Sequence, residues 1–557
     1  INNTGAGSNK YGLQLQSSSN NNTITDNTVR TDGSSSNNYG VYLLNTVSDN
    51  IVRRNSITTN GSGADYGVYL STSVNNNTIT NNTIRTQGSS SSNFGIYLFS
   101  TVSGNFVQGN SVSTNGTSNN YGIYLQSSAN NNTITNNTVR TDGSDISNIG
   151  IFLSSTVSGN FVLGNSISTN GTSNNLGISL QESVNSNTVA NNTIRAQGSG
   201  SDNYGVYLVL LSGNSVYDNS ISTNGTSGNF GVWLSGSANN NTITNNTIRA
   251  QGSSGSNIGI YLNSTVSSNL VQGNSISTNG TSSNYGVQLE SAAHNNTMLN
   301  NNITTAGSGS YGIYVTSSNG SVFNNTILNN PVQWIFTNTG TNNTFENTSF
   351  VVLNSTIRFG GKLNATGSFN VTRTRFNPAF NSVFLNSTDL SFMNTTANLT
   401  FFGLTSSNPY ATVDLNDGNG FQTCAASLCT NQQYSSGTFT MTVQHYTNFS
   451  TQETSTNNAP VVNSIILNTT NPISNDTTQN LTIYLSVTDA DGNATKNITN
   501  WYRNGGLQQL LNLPFEGGSN GSFTREYAQG LNATQANISQ YPTWNATAGI
   551  DGFGAYR

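Results

Sequence analysis

Charge is what this sequence most lacks. Of 557 residues only 7% are Asp, Glu, Lys or Arg, and the formal net charge is −5. With so few basic side chains, nothing here would neutralise a phosphate backbone, which excludes a nucleic-acid partner. Two histidines, two cysteines and three methionines offer little to a soft metal. No apolar run is long enough to span a bilayer. Low charge also separates the chain from disordered polymers, which carry high net charge, while a hydrophobic share of 33% is thin for an ordinary globular domain. The combination fits a polar surface around a thin, regular core. The chain opens at Ile1 without a methionine and stops at Arg557 in mid-pattern. It reads as a fragment of a longer precursor, so missing targeting segments carry no information. The two cysteines, Cys424 and Cys429, lie close together in a chain full of N-x-S/T sequons. That context points to a disulfide outside the cytoplasm; two free buried thiols are the alternative.

What is present is repetition. An aromatic or aliphatic residue followed by Gly recurs from Tyr11 to Tyr311 at a spacing of about 27 residues, the length of one coil of a solenoid. Alternate copies match best, NTITNNTIRTQG against NFVQGNSISTNG, so the full period is two coils. Each copy holds three short β-like runs, such as YGVYL at Tyr66, NTIT at Asn77 and NTIR at Asn82, split by Gly, Ser and Asn. β-Branched alternation without a helical period argues for strands. Three strands per coil describe an all-β parallel β-helix, in which each strand pairs with its equivalent one coil above and below.

Columns of the repeat can be assigned to faces. In YGVYL the third place is always Val or Ile and the fifth almost always Leu, for example Val68 and Leu70. Alternation then predicts places one, three and five inside, two and four outside. The second half of the coil follows N-x-[IV]-x-x-N-[ST]-[IV]. Its second Asn is Asn27, Asn55, Asn82, Asn110, Asn137, Asn165, Asn192, Asn219, Asn246 and Asn274. Falling where the chain bends, these amides are predicted to form a hydrogen-bonded ladder along the axis; direct ligand contact is the alternative.

The regular spelling ends near residue 330, and irregular coils are expected to about 395. Residues 396–456 read as a small β module capping the solenoid and holding the cysteine pair. "DLNDGNG" offers a weak calcium candidate in Asp414, Asn416 and Asp417, although a tight polar turn explains it as well. Residues 457–511, with "LTIYLSVTDADGNATKNITNWYRNG", carry an Ig-like pattern with Trp501 as the buried tryptophan. From 512 to 557 another β module starts and is cut off.

These residues resemble a known family. The coils from Ile1 to about Asn330 are similar to the NosD-like right-handed parallel β-helix proteins, also called CASH domains. The "FQTCAASLCT" and "VTDADGN" stretches resemble modules of archaeal surface proteins. The "LPFEGG…WNATAGIDGFGAYR" end is similar to the opening of a laminin-G-like jelly roll. The resemblance implies a secreted or surface protein and a carbohydrate context. Family members include lyases, hydrolases and proteins of no known activity.

For an enzyme, two carboxylates should face each other on neighbouring coils. Asp32 and Asp142 share a column but stand four coils apart, as do Glu182 and Glu290, while Asp26 and Asp218 are farther still. Copper delivery would need His, Cys or Met, and His294 only replaces an Asn of the repeat. The arginine column, Arg30, Arg85, Arg140, Arg195 and Arg249, reads as solvated surface or as a contact for acidic glycans. The outward fourth place is aromatic in most coils: Tyr42, Tyr69, Tyr97, Tyr124, Phe152, Tyr207, Trp233, Tyr261 and Tyr314, interrupted by Gln14, Ser179 and Gln288. This stripe is the candidate site for a polysaccharide or cell-surface glycan, with plain cross-strand stacking as its structural alternative. N-G-[ST] at Asn60, Asn115, Asn170, Asn224 and Asn279 is a candidate glycosylation line. No cofactor is expected. The favoured reading is a non-catalytic surface protein for structure, adhesion or polysaccharide binding; a β-helix polysaccharide lyase or glycoside hydrolase is the alternative.

Overall fold

The computed structural model describes residues 1–453 except 6–8, 34–36, 90–91, 118, 146, 330, 341, 366, 407 and 416–419; beyond them it describes 460–469, 473, 481–490, 495 and the short strand pairs from 502 to 556. Two compact units result, Ile1–Glu453 and Thr454–Arg557.

The first unit is built mainly from a parallel β-helix. One coil shows the plan: strands Asp65–Ser71, Thr78–Thr80 and Thr83–Thr86 follow one another around the axis. Each pairs in parallel with its equivalent in the next coil, Val68 opposite Ile96, Ile79 opposite Val107 and Ile84 opposite Val112. Repeating this pairing gives three long sheets, two of them with 14 strands. Val68, Leu70, Val74, Ile79 and Ile84 have no exposed surface, and their counterparts through most of the coils stack into one continuous core. Each such side chain contributes about 2 kcal/mol on burial. A single coil has no neighbours to bury against, so stability comes from stacking.

Places three, four and five of the YGVYL strand face as expected, but place one does not. Tyr39, Tyr66 and Phe94 lie on the outer face, stacked beside the place-four rings. The cause is the glycine at place two. A Cβ added to Gly40 would lie 2.2 Å from Ile57 Cγ2 and 2.5 Å from the Gly67 carbonyl oxygen, so this position points into the core and takes glycine alone. Places two and three therefore both face inward, and the period-two alternation slips by one residue. Every coil carries the same slip, so the strands stay in register.

The last parallel rungs are Gln333–Asn338, Asn343–Glu346 and Ser349–Val352. Among the described residues no further parallel coil follows toward 395. Ser355–Phe359 turns back antiparallel on Ser349–Val352, and Ala397–Phe401, Thr438–Val443 and Cys429–Ser435 extend the sheet. A five-stranded antiparallel sheet includes Phe376–Ala379, Pro409–Asp414 and Asn448–Glu453. Trp334, Phe350, Phe359, Phe376 and Tyr446 pack edge-on or tilted where this antiparallel part meets the coils. The Trp334 indole N–H donates to the Phe376 carbonyl at 2.9 Å. The core thus closes on antiparallel strands instead of ending at an open rung. Cys424 and Cys429 are joined in a disulfide. Asp414 ends a buried strand, whereas Asn416 and Asp417 lie outside the described residues. Among the described residues no three His, Cys, Asp or Glu side chains cluster as metal ligands.

In the second unit Val461–Thr469 and Leu481–Thr488 form an antiparallel pair. Trp501 and most of residues 512–557 lie outside the described residues.

An aromatic face held in register by asparagine ladders

Three amide ladders hold the columns in line. In the predicted one, Asn27, Asn55, Asn82, Asn110, Asn137, Asn165, Asn192, Asn219, Asn246 and Asn274 each donate from Nδ2 to Oδ1 of the next member at 2.9–3.0 Å, ending on Asn301. Each amide also serves the turn: Asn55 Nδ2 donates to the Ile24 and Arg53 carbonyls, both at 2.9 Å. The left-handed residue of the turn is the one before the ladder Asn, such as Asn81 or Gly109, with φ of 54° and 65°. The amide column itself is selected for hydrogen bonding, not for turn conformation. Sequence reading missed two further ladders. The first Asn of the motif forms one from Asn22 to Asn296, with spacings of 2.9–3.3 Å. The residue before place one forms another, with Asp65 donated to by Asn38, and Asn93 to Asn284 linked at 2.7–3.0 Å.

On this frame the place-four aromatics stand in register on one sheet: Tyr42, Tyr69, Tyr97, Tyr124 and Phe152, then Tyr207, Trp233 and Tyr261, then Tyr314 opposite Phe336. Ring centroids of successive place-four residues are 5.0 Å apart for Tyr42–Tyr69 and Tyr69–Tyr97 and 4.9 Å for Tyr97–Tyr124, with planes within 12° of parallel. The place-one rings stack the same way, Tyr39–Tyr66 and Tyr66–Phe94 at 4.9 Å. The stripe is therefore a slab two rings wide. Ring faces are spent on neighbouring rings, and Tyr97, Tyr124 and Tyr261 are only 8% exposed. Edges and hydroxyls are what the face presents. Tyr124 Oη and Ser154 Oγ are hydrogen-bonded at 2.9 Å, Tyr261 donates to Glu290 Oε2 at 2.8 Å, and Tyr97 donates to Gln126. Burial pushes the Tyr42 and Tyr124 phenols up to about 12, so they remain neutral donors at ordinary pH. The slab breaks at two interior positions. Gln288 fills its own gap, with Nε2 donating to Glu290 at 2.7 Å, and Tyr285 stacks on Tyr314 at 4.3 Å. At Leu176 and Ser179 no ring fills the place, and the aromatic clusters on either side are separate.

The other predicted columns fall on the surface. Arg30 pairs with Asp32 at 2.7 Å, Arg140 with Asp142, and Arg54 with Asp26 at 2.7 Å, which holds the Asp26 carboxyl well below its usual range. Arg85, Arg195 and Arg249 have no carboxylate partner among the described residues. Asn60, Asn115, Asn170, Asn224 and Asn279 are all exposed. The glycine after four of them, Gly61, Gly171, Gly225 and Gly280, has its own packing reason: a Cβ on Gly61 would sit 2.1 Å from Asn38 Nδ2 of the third ladder. His294 Nδ1 accepts from the Asn319 backbone N–H at 2.9 Å, a turn contact in the place of an Asn.

Several solved structures are similar to parts of this chain. A chain in the cryo-EM structure of the Vag8–C1 inhibitor complex is 15% identical, with a TM-score of 0.41, covering 60% of this chain and 80% of that one. The Azotobacter vinelandii mannuronan C-5 epimerase AlgE6 A-module is 14% identical, with a TM-score of 0.27, covering 52% and 90%. A tailspike protein double mutant of E. coli bacteriophage HK620, solved with a pentasaccharide, is 9% identical, with a TM-score of 0.34, covering 81% and 87%. No curated protein is similar enough in sequence to count as a relative. Residues 1–167 and 197–350, more than half of the chain, match the family described as right handed beta helix region, and the chain belongs to that family.

Proposed function

We propose that this solenoid is an extracellular or surface-displayed binding protein that holds a polysaccharide along its aromatic face without cleaving it. The observation that carries this reading is the slab of stacked rings running along one sheet. In a chain with so little charge, this row of aromatic edges follows one sheet through most of its coils, and such a surface calls for a partner. Every rung but that of Leu176 and Ser179 offers a ring edge, and most also a neutral hydroxyl, at a spacing of about 4.8 Å. A repeating polymer laid along the axis meets the same groups again and again. Three of the acids, Asp26, Asp32 and Asp142, are each paired with an arginine, which leaves them less free to serve as an acid and base pair. The exposed Asn60, Asn115, Asn170, Asn224 and Asn279 are acceptors for glycosylation in the same setting.

The test is a glycan array probed with the full chain and with a Tyr42→Ser, Tyr69→Ser double variant. Both rings are half-buried members of the slab. Binding at least tenfold weaker in the variant is expected, at unchanged circular dichroism and with no reducing or unsaturated ends released. Equal binding by the variant, or steady release of such ends, would overturn the proposal.

A further inference from the structure

We propose that the break in the aromatic face at Leu176 is a binding slot for one neutral pyranose ring of a glycan. The inference rests on the polysaccharide-binding reading and locates its specificity in one place. Two successive coils carry aliphatics at place one, Ile149 and Leu176, and both line a cavity of about 360 Å³ together with the place-four rings Phe152 and Tyr207. Tyr121 and Tyr204 close its two ends, three rungs or about 14 Å apart. Tyr121 stacks on Phe94 at 5.1 Å and Tyr204 on Phe230 at 5.3 Å, each on the side away from the cavity. Toward the cavity neither has an aromatic neighbour at place one. Ile149 and Leu176 stand opposite Tyr121 and Tyr204 in register, and Phe152 stacks diagonally on Tyr121 at 5.8 Å, so the lining is a mixed aliphatic and aromatic surface on which an apolar sugar face packs.

The rim supplies the polar half of a sugar site. Asn119, Ser147 and Asn174 line one flank and Gln181 the other. Gln181 Nε2 donates to the buried Ser179 Oγ at 2.8 Å, which orients the amide and leaves its carbonyl oxygen to accept from a hydroxyl. Charge decides between sugar classes. Among the described residues no Lys or Arg lines the cavity. Asp145 and Asp202 lie two residues from lining positions, Glu182 follows Gln181, and Asp202 and Glu182 act electrostatically on Tyr204 and Tyr124. A uronate or sulfated ring would meet like charge, whereas a neutral hexose or N-acetylhexosamine would not.

The experiment uses the full chain and titration calorimetry with three probes: cellohexaose, chitohexaose and hexagalacturonate. Leu176→Tyr fills the slot with the residue that neighbouring coils carry, and Tyr204→Ala removes an end wall. Micromolar to millimolar binding of at least one neutral probe is expected, at least tenfold tighter than hexagalacturonate. Both variants should weaken it at least tenfold, with Leu176→Tyr melting no lower than the parent. If the slab variant Tyr42→Ser, Tyr69→Ser loses binding and both slot variants keep it, the slot is overturned and the extended-face reading stands. If the slot variants lose binding and the slab variant keeps it, the slot stands alone. Preference for hexagalacturonate, or no neutral probe binding the parent chain, overturns the slot.

Discussion

Asp65 is the one acid in a column of amides. It accepts from Asn38 Nδ2 at 2.7 Å, has no exposed surface, and its Oδ2 has no hydrogen-bond partner. Burial, with a smaller push from Asp32, raises its carboxyl to about 6, against the pull of Asn38 and the Gly61 backbone. A carboxyl raised on folding favours the folded state most when both states are protonated. The stabilisation is complete below about pH 4 and is lost as pH climbs through about 6. The shift from 3.8 to about 6 corresponds to about 3 kcal/mol. Urea unfolding should therefore show stability falling over that window. Asp65→Asn, which restores the amide of its neighbours, should abolish the slope and add about 2–3 kcal/mol at pH 7. An equal slope in the variant would refute this account.

Strands and turns are set by columns rather than by single side chains. At place two of the long strand, a Cβ on Gly122 would stand 2.1 Å from Val139 Cγ1 and 2.5 Å from the Gly150 carbonyl oxygen. Gly122→Ala should cost about 2 kcal/mol or more and leave alanine changes at exposed threonines silent, as thermal melts would show. A second column runs the other way. Thr86, Thr114 and Thr141 pair in register in the third sheet, and each hydroxyl is buried with no hydrogen-bond partner. The column already admits Ala196 and Ala250. Thr114→Val, keeping the shape and removing the orphan hydroxyl, should raise stability by about 1 kcal/mol in urea unfolding; a loss would mean the hydroxyl has a partner after all.

The whole solenoid behaves as a stack whose ends matter. Its final rung pairs with antiparallel strands, and Trp334 and Phe350 are fully buried beneath them. Ending the chain after Val352 would strip that cover and leave three strand edges and an aromatic floor open. Light scattering should find residues 1–352 associating, far more than residues 1–453 at equal concentration. Equal behaviour would show that the antiparallel part is not needed as a cap.

Much of this was legible in the repeat. Coil length, strand count, the Val, Ile and Leu core and one amide ladder follow from periodicity, because every copy repeats the same choice at the same place. Place one was misread because alternation counts residues and cannot see that a glycine at place two, pressed against Ile57 and Gly67, takes an inward seat. Two ladders went unseen because an Asn in a turn looks the same whether or not its amide finds the next coil. The stacking of rings face to face, and hence the meaning of Leu176 and Ser179 as a gap, exists only between coils. It depends on residues 27 or 28 positions apart being brought to one strand spacing, a distance that no reading along the chain contains.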